Sequence, residues 1–262
     1  MDLTRRELLL LTGGLAAGCA RPPSEPARPE RRRRRAQAPI EAIAVDAFVL
    51  FDPRPFARAL DAAFPGHGAQ LAAEFRTRLF GYGWLRALGG RYRDFWRLSE
   101  DALGAAAEAL GLALTDATRA ALLEQWAALP PWPDAAAGVR ELQRAGYPLA
   151  VLSNWSPRML ETALARSGLD DAVRPLSTDL VQSYKPDPAA YAIALDAFGL
   201  DRARVGFVAF AGWDAAGGSW FGFPTVWMNR MGAPAEPLDM AEVTLATSFA
   251  RGALLDALGL RA

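Results

Sequence analysis

Short apolar runs recur along this chain, and segments with apolar residues at helical spacing separate them. Runs near 43–45, 149–152 and 205–209 have the length and composition of buried parallel strands. Later strands are predicted at 224–228 and 243–246, with a further short segment around Val173. Helices are predicted near 134–145, 157–167, 188–199 and 249–258. Strands that alternate with helices predict an α/β fold, with a Rossmann-like parallel sheet and right-handed connections.

A block from about residue 54 to 129 interrupts this alternation. It has almost no β-branched residues and is rich in Ala, Leu, Arg and Glu, which favour helices. Apolar residues recur at helical spacing in four segments of this block, 54–63, 69–88, 94–110 and 116–128. We therefore predict a helical cap at 54–129, inserted into an α/β core formed by residues 41–53 and 130–262.

The N-terminal segment has the pattern of an export signal. Arg5 and Arg6 precede an apolar stretch that ends at Ala17, and together they resemble a twin-arginine signal within residues 1–20. The apolar stretch is too short to span a bilayer as a stable helix. Cys19 follows either a lipobox, which would make it a lipidated residue and a membrane tether, or a small-residue cleavage site. Both alternatives predict an exported protein, periplasmic or lipid-anchored.

Residues 21–40 are rich in Pro and Arg and are predicted to be a disordered linker. Nine of the 29 basic residues, but only four of the 29 acidic ones, lie in the first forty positions. The rest of the chain is therefore acidic, which argues against a nucleic-acid partner. The 52% hydrophobic and 22% charged composition is that of a globular protein.

Histidine and cysteine are too rare for several kinds of site. One Cys excludes an intramolecular disulfide and a cysteine-cluster metal site. His67, the single histidine, lies in a Pro-Gly-His-Gly turn, which argues against poly-His zinc sites and a His-based triad.

Five polar side chains lie at or just after predicted strand ends: Asp46, Ser153, Asn154, Lys185 and Asp214. Each could by itself be a cap or turn residue, and Asp46 in particular could cap a turn or a helix. Ligands and substrates of parallel sheets bind beyond the carboxyl ends of the strands. The convergence of five such residues on one edge therefore predicts a functional site. Lys185 is also the only lysine in the chain, beside 28 arginines.

These residues occur in an order that resembles the haloacid dehalogenase superfamily, and more closely its L-2-haloacid dehalogenase branch. The resemblance covers residues from about 43 to 258 and extends into the helical block, where it differs from the phosphatases. It is carried by Ala63-Phe64-Pro65-Gly66, Tyr82-Gly83-Trp84-Leu85-Arg86-Ala87-Leu88, Arg91-Tyr92-Arg93-Asp94-Phe95-Trp96, Glu100-Asp101-Ala102-Leu103, Leu152-Ser153-Asn154, Tyr184-Lys185-Pro186-Asp187, Trp213-Asp214-Ala215 and Phe221-Gly222-Phe223-Pro224-Thr225.

The resemblance implies hydrolysis of a small 2-haloacid in two covalent steps. Asp46 would displace halide from carbon 2 and form an ester with inverted configuration. Lys185 would favour the ionised form of Asp46, and Asp214 would hold Lys185 and activate the water that cleaves the ester.

The resemblance also implies contacts with the substrate and an oligomeric state. Arg76 matches an arginine near the halogen and substrate and is counted with the catalytic residues. Ser153 matches a contact to the substrate carboxylate, and Asn154 a halide contact. Tyr191 matches a supporting hydroxyl, and Trp213 belongs to the substrate-binding set. Many such relatives are dimers, so a homodimer is an expectation here too.

No catalytic metal or other cofactor is expected. The phosphatases of this superfamily need a second aspartate two residues after the nucleophile, both to protonate the leaving group and to help seat Mg²⁺. Phe48 occupies that position here.

Three departures from the family pattern concern the reacting groups. The run Phe48-Val49-Leu50-Phe51-Asp52 is one residue shorter than its usual counterpart and lacks the Thr and Gly. Ala209 and Ala211 stand where the family usually has Ser and Asn, and that Asn helps to place the hydrolytic water. Loss of preorganised polar groups commonly costs on the order of 100-fold in rate. Two hypotheses remain: a working dehalogenase, or a catalytically impaired protein of the same fold that serves as a binding or cell-envelope module.

Overall fold

A computed structural model describes residues 39–240, 242–249 and 252–260. All of these residues belong to one compact unit that spans Gln37–Ala262. The predicted signal peptide, Cys19 and nearly all of the predicted linker lie outside the described residues.

The described residues contain a parallel sheet of six strands in the order β3-β2-β1-β4-β5-β6. The strands are β1 (Ala42–Val45), β2 (Leu149–Ser153), β3 (Arg174–Ser177), β4 (Val205–Ala209), β5 (Thr225–Met228) and β6 (Thr244–Ala246). In register, Val45 lies beside Val151 of β2 and Val208 of β4. The strand order reverses direction at β1 and β4, which is where ligands bind in open α/β sheets.

Helices connect these strands. They are α1 (Ala47–Leu50), α2 (Arg54–Ala63), α3 (Gly68–Leu88), α4 (Phe95–Ala109), α5 (Asp116–Ala127), α6 (Ala135–Arg144), α7 (Pro157–Arg166), α8 (Pro188–Phe198), α9 (Gly212–Phe221) and α10 (Ala253–Ala257). Helices α2–α5 fill the range between β1 and β2, and we call them the helical insert. The predicted α/β fold and the four predicted helices of this range are confirmed.

The centre of the sheet is buried on both faces, which accounts for the apolar composition of its central strands. Ile43, Val45 and Val151 belong to one buried cluster, which extends into the insert, α6 and α7. Ala44 and Phe207 belong to the other, which includes residues of α8 and α9. The four central strands, β1, β2, β4 and β5, therefore contribute alternate side chains to two apolar layers, whereas the edge strands β3 and β6 are partly exposed.

The last helix is shorter than the sequence predicts. The pattern suggested a helix over 249–258, whereas α10 covers Ala253–Ala257. Phe249 instead lies before the helix, is buried, and donates its backbone N–H to Asp134 at 2.9 Å. Burial of this ring thus takes precedence over extension of the helix. Among the described helices, none has the length and apolar character needed to cross a membrane.

Helix α9 packs close to β4 at Gly218. A Cβ atom at Gly218 would lie 2.5 Å from the ring of Phe207, which is fully buried. The close approach brings the first turn of α9, including Asp214, against the end of the sheet.

We predict that Gly218→Ala destabilises the protein by about 1–3 kcal/mol, because the added methyl group overpacks a closed core. Urea unfolding measures the change. Gly81→Ala in α3 is the matched control, since nothing lies within 4 Å of its added Cβ. We expect that control to be neutral or stabilising, because Ala is a better helix former than Gly. Equal stability of the two variants would contradict the prediction.

Candidate active site

The carboxyl ends of β1, β2 and β4 bring the predicted polar residues together. Asp46 directly follows β1, Ser153 ends β2 and Asn154 follows it. Asp214 lies in the first turn of α9, after β4. Lys185 comes from the loop between β3 and α8. Four separate connections thus converge on one edge of the sheet, as the sequence predicted.

Lys185 links the two carboxylates of this edge. Its Nζ donates to Asp46 Oδ1 at 2.7 Å and to Asp214 Oδ2 at 2.8 Å. The carbonyl of Leu152 accepts a third bond from Nζ at 3.1 Å. Because the Lys185 side chain is only 1% exposed, these three acceptors replace the water that an ammonium group otherwise requires.

Asp46 is both a helix cap and a member of this cluster. Its Oδ2 accepts the backbone N–H of Phe48 at 2.9 Å and caps the short helix α1, while its Oδ1 accepts from Lys185. Asp46 is therefore a helix cap and also lies in the cluster of polar residues at the strand ends, so the two interpretations do not exclude each other. Helix α1 itself was not predicted, because Phe48 and Val49 are poor helix formers and the helix depends on this cap.

Asp214 is buried beside both Lys185 and Tyr191. The hydroxyl of Tyr191 donates to Asp214 Oδ1 at 2.8 Å. Burial raises the pKa of Asp214 to about 6, against the lowering effect of Lys185, and the charge of Asp46 adds to the increase. Burial and then the Asp214 charge raise the pKa of the Tyr191 hydroxyl, so it remains a donor at neutral pH.

The pKa of Lys185 is also raised. Burial alone would lower it, but the charges of Asp214 and Asp46 outweigh that effect. Lys185 is therefore cationic throughout the physiological range. One cation does not fully compensate two buried carboxylates, so burial and the charge of Asp46 keep the pKa of Asp214 above its ordinary value.

The remaining predicted residues differ in how they relate to this cluster. Asn154 Oδ1 accepts the backbone N–H of Lys185 at 3.0 Å, and Ser153 Oγ accepts the backbone N–H of Trp155 at 3.2 Å. Trp213 is half-buried beside Asp214. Arg76 is exposed on α3 and, within the described part of the chain, has no hydrogen-bonding or ionic partner. The apolar face of α3 turns Phe75 inward and leaves its neighbour Arg76 outside.

Aromatic side chains surround the site, and apart from Trp213 none of them was predicted from the sequence to belong to it. The ring of Phe48 lies 5.4 Å from Trp155, 5.7 Å from Trp126 and 5.8 Å from Phe210, between ring centroids. Trp213 lies 5.3 Å from Trp84, in the insert. The eight tryptophans of the chain were the available signal, but their spacing does not show which of them meet.

No metal-binding group emerges from these contacts. Among the described residues, no cluster of three or more His, Cys, Asp or Glu side chains is placed to hold a metal ion. The cluster around Lys185 is an ion-pair arrangement, with a cation already between its carboxylates.

Comparison with known proteins places this arrangement in a family. A family model described as haloacid dehalogenase-like hydrolase matches residues 29–222. This chain belongs to the haloacid dehalogenase-like hydrolases.

Relatives with assigned activities are similar over most of their length. The (S)-2-haloacid dehalogenase of Pseudomonas sp. (strain YL) is 42% identical over 195 residues, which is 74% of this chain and 84% of the relative. The haloacetate dehalogenase H-2 of Moraxella sp. (strain B) is 33% identical over 195 residues, 74% of this chain and 87% of the relative.

Solved structures agree with this family assignment. The L-2-haloacid dehalogenase RSc1362 superposes with a TM-score of 0.80 at 38% identity, covering 85% of this chain and 98% of that one. The L-2-haloacid dehalogenase from Xanthobacter autotrophicus with covalently bound chloropropionic acid gives a TM-score of 0.69 at 36% identity, covering 73% and 78% of the two chains.

We predict that Lys185→Met lowers the free energy of unfolding by about 3–5 kcal/mol, because it leaves two buried carboxylates without their cation. Loss of Lys185 also removes a group that lowers the pKa of Asp214, which already lies above the ordinary value of 3.8. A raised folded-state pKa gives stability that is present below the unfolded value and lost as pH rises through the folded value.

The loss caused by Lys185→Met should therefore be larger at pH 8 than at pH 5, and urea unfolding at both pH values measures it. Arg97→Met, which breaks a partly exposed pair with Glu100, is the control. An equal loss at the two pH values would show that the buried carboxylates do not set the cost.

Proposed function

We propose that this hydrolase removes halide from short 2-haloalkanoic acids through an aspartyl-ester intermediate, giving 2-hydroxy acids. The observation that carries the proposal is the buried Asp46–Lys185–Asp214 cluster at the strand ends. It is supported by relatives named (S)-2-haloacid dehalogenases and by a similar structure with chloropropionic acid covalently bound. We further propose that the helical insert serves as the cap over this site.

In the first step, a carboxylate oxygen of Asp46 attacks carbon 2 of the substrate. A C–O bond forms, the carbon–halogen bond breaks, and the halide leaves with the bonding electron pair. Lys185 and the Phe48 N–H hold the two oxygens of Asp46 in fixed directions. Such fixed geometry supports attack because the nucleophile needs little reorganisation.

In the second step, water attacks the carbonyl carbon of the Asp46 ester. Asp214 accepts a proton from this water, the bond between the carbonyl carbon and the alkoxide oxygen breaks, and Asp214 returns the proton to the alkoxide as the 2-hydroxy acid leaves. Asp46 releases the second water proton to solvent and is regenerated as a carboxylate. Asp214 must be ionised to act as the base, so the proposed step requires a pH above its pKa of about 6.

Substrate contacts are proposed for Arg76, Ser153, Asn154, Tyr191 and Trp213. Asn154 and Ser153 lie at the end of β2, beside the reacting cluster, and Tyr191 supports Asp214. Arg76 is exposed on α3, so its proposed contact belongs to the substrate-bound state. Its guanidinium would pair with the anionic substrate.

Ester hydrolysis is proposed to be the weaker step. Ala209 is fully buried, and Ala211 caps α9 without a side-chain hydrogen bond. Neither can orient a water molecule beside Asp214. This observation also supports the second candidate, a protein that forms the ester and turns over poorly.

The proposal also includes export through the N-terminal signal, with Cys19 as a tether if it is lipidated, and a homodimer. Leu85 and Leu88 on α3 are 70% and 89% exposed, which is compatible with a protein partner. The intact mass of the purified protein shows whether the signal has been cleaved, and an uncleaved chain would contradict the proposed export. Light scattering gives the molar mass in solution, and a monomer at all concentrations would contradict the proposed dimer.

We predict that the protein incubated with L-2-chloropropionate releases free halide and that Asp46→Asn abolishes the release. An amide oxygen is too weak a nucleophile for this displacement. Halide assays combined with intact-protein mass spectra measure both steps. Repeated release supports the dehalogenase, release of one equivalent with a stable adduct supports the impaired form, and neither signal would refute dehalogenation of this acid.

We predict that Ala211→Asn speeds turnover, by up to about 100-fold if it restores a polar group at the water position. Rapid-quench measurements should show a smaller burst of halide relative to the steady rate. Asn is also a good helix cap, so thermal stability is measured in parallel. Ala215→Asn, which is on the same helix but points into the core cluster, is the control and should not accelerate turnover. An unchanged burst in Ala211→Asn would show that water placement does not limit this step.

A further inference from the structure

The main chain of Lys185 is held from two sides. Its N–H donates to Asn154 Oδ1 at 3.0 Å, and its carbonyl oxygen accepts the indole N–H of Trp84 at 3.0 Å. Asn154 belongs to the end of β2, whereas Trp84 belongs to α3 of the helical insert. The main chain of Lys185 is therefore hydrogen-bonded to the end of β2 through its N–H group and to the insert through its C=O group.

We propose that Trp84 is a positioning residue for Lys185: its indole N–H fixes the Lys185 carbonyl and so ties the placement of Nζ between Asp46 and Asp214 to the docking of the insert. The expected effect on kcat rests on the proposed function, whereas the expected effect on the position of Lys185 does not.

The geometry of Lys185 makes its main chain important. A lysine side chain has four rotatable bonds, and here its three donors must meet three acceptors at 2.7, 2.8 and 3.1 Å. A movement of the Cα atom therefore changes the position of Nζ relative to all three acceptors. Pro186 follows Lys185 and has no N–H, so it cannot donate a backbone hydrogen bond. The next backbone donor is the N–H of Asp187, which binds the Tyr184 carbonyl at 2.9 Å and does not involve the N–H or C=O group of Lys185.

Trp84 also contacts the other half of the ion-pair cluster. Its ring packs edge-on against Trp213 at 5.3 Å and 81°, and Trp213 directly precedes Asp214. The approach of α3 is close, because a Cβ atom on Gly83 would lie 3.3 Å from the Tyr184 ring. One side chain of the insert thus reaches the neighbours of both Lys185 and Asp214.

Other contacts between the same two segments do not involve the Lys185 peptide. The Tyr92 hydroxyl donates to Asp179, and the Tyr184 hydroxyl donates to the carbonyl of Arg93. These bonds join the insert to the loop before Lys185. Tyr92→Phe therefore removes one hydrogen bond between the insert and this loop but leaves the bond from Trp84 to the Lys185 carbonyl in place. It is the comparison variant.

The single lysine of the chain allows a direct test. Full-length protein grown with ¹⁵N-lysine has a single lysine backbone amide signal, that of Lys185. Its chemical shift and hydrogen-exchange rate report on the segment without reference to activity. Trp84→Phe keeps an aromatic ring but removes the N–H. Trp220→Phe, at a site 59% exposed, is the matched control for loss of an indole.

We expect Trp84→Phe to shift the Lys185 signal and to speed its amide exchange by about tenfold, the effect of one lost hydrogen bond. We expect kcat to fall by a similar factor with little change in KM.

The acid limb of the pH profile of kcat should move to higher pH in Trp84→Phe. The groups that face Asp214 are Lys185, Tyr191 and Asp46, and a looser Lys185 stabilises the ionised carboxylate less. Tyr92→Phe and Trp220→Phe should leave the acid limb in place.

An unchanged Lys185 signal, exchange rate and acid limb in Trp84→Phe would overturn the proposal. Gly83→Ala is the second variant should Trp84→Phe fail to fold: it keeps the indole but pushes α3 away from Tyr184, and should alter the same signal. An unaltered signal in a folded Gly83→Ala protein would likewise count against the proposal. If the wild type releases no halide, the proposed function fails, and the amide measurements still decide whether Trp84 positions Lys185.

Discussion

The site depends on one buried ammonium group placed between two buried carboxylates. Such an arrangement is costly to bury and is stable only when each donor has an acceptor. The acceptors come from β1, from β2 through the Leu152 carbonyl, and from the start of α9. The parallel sheet brings these three chain segments to one place. The proposed chemistry therefore depends on the same packing of strands that stabilises the buried lysine.

Asp46, the candidate nucleophile, has a structural role as well as a proposed chemical one. One oxygen of Asp46 caps α1 and the other receives the lysine. The shortened run after Asp46 therefore does not leave the carboxylate without a backbone donor, because the Phe48 N–H supplies one. What this run does not supply is a side-chain hydroxyl, and Ala209 at the end of β4 and Ala211 just after it supply no polar group either. The polar contacts are consequently concentrated on the carboxylates themselves.

The connection between insert and sheet is also tied to the nucleophile. Trp132, just after the insert, donates its backbone N–H to Leu50 at 2.9 Å and its indole N–H to the Phe48 carbonyl at 2.9 Å. Arg54 and Arg230 both stack on the Trp132 ring, at 4.5 and 4.9 Å. The segment that follows the insert is therefore bonded to the helix that Asp46 caps, and α3 of the insert is bonded to Lys185 through Trp84.

The sequence by itself determined the alternation of strands and helices, the insert, and the polar residues at the strand ends. These follow from local periodicity and from the geometry of parallel sheets, which carries Asp46, Lys185 and Asp214 to a common edge. Tertiary structure decided which partners meet. Helix α1 forms because Asp46 caps it, the indole of Trp84 reaches a carbonyl 101 positions away, and Arg76 stays exposed. These contacts depend on how helices of the insert pack against the sheet, and residue spacing along the chain carries no information about that packing.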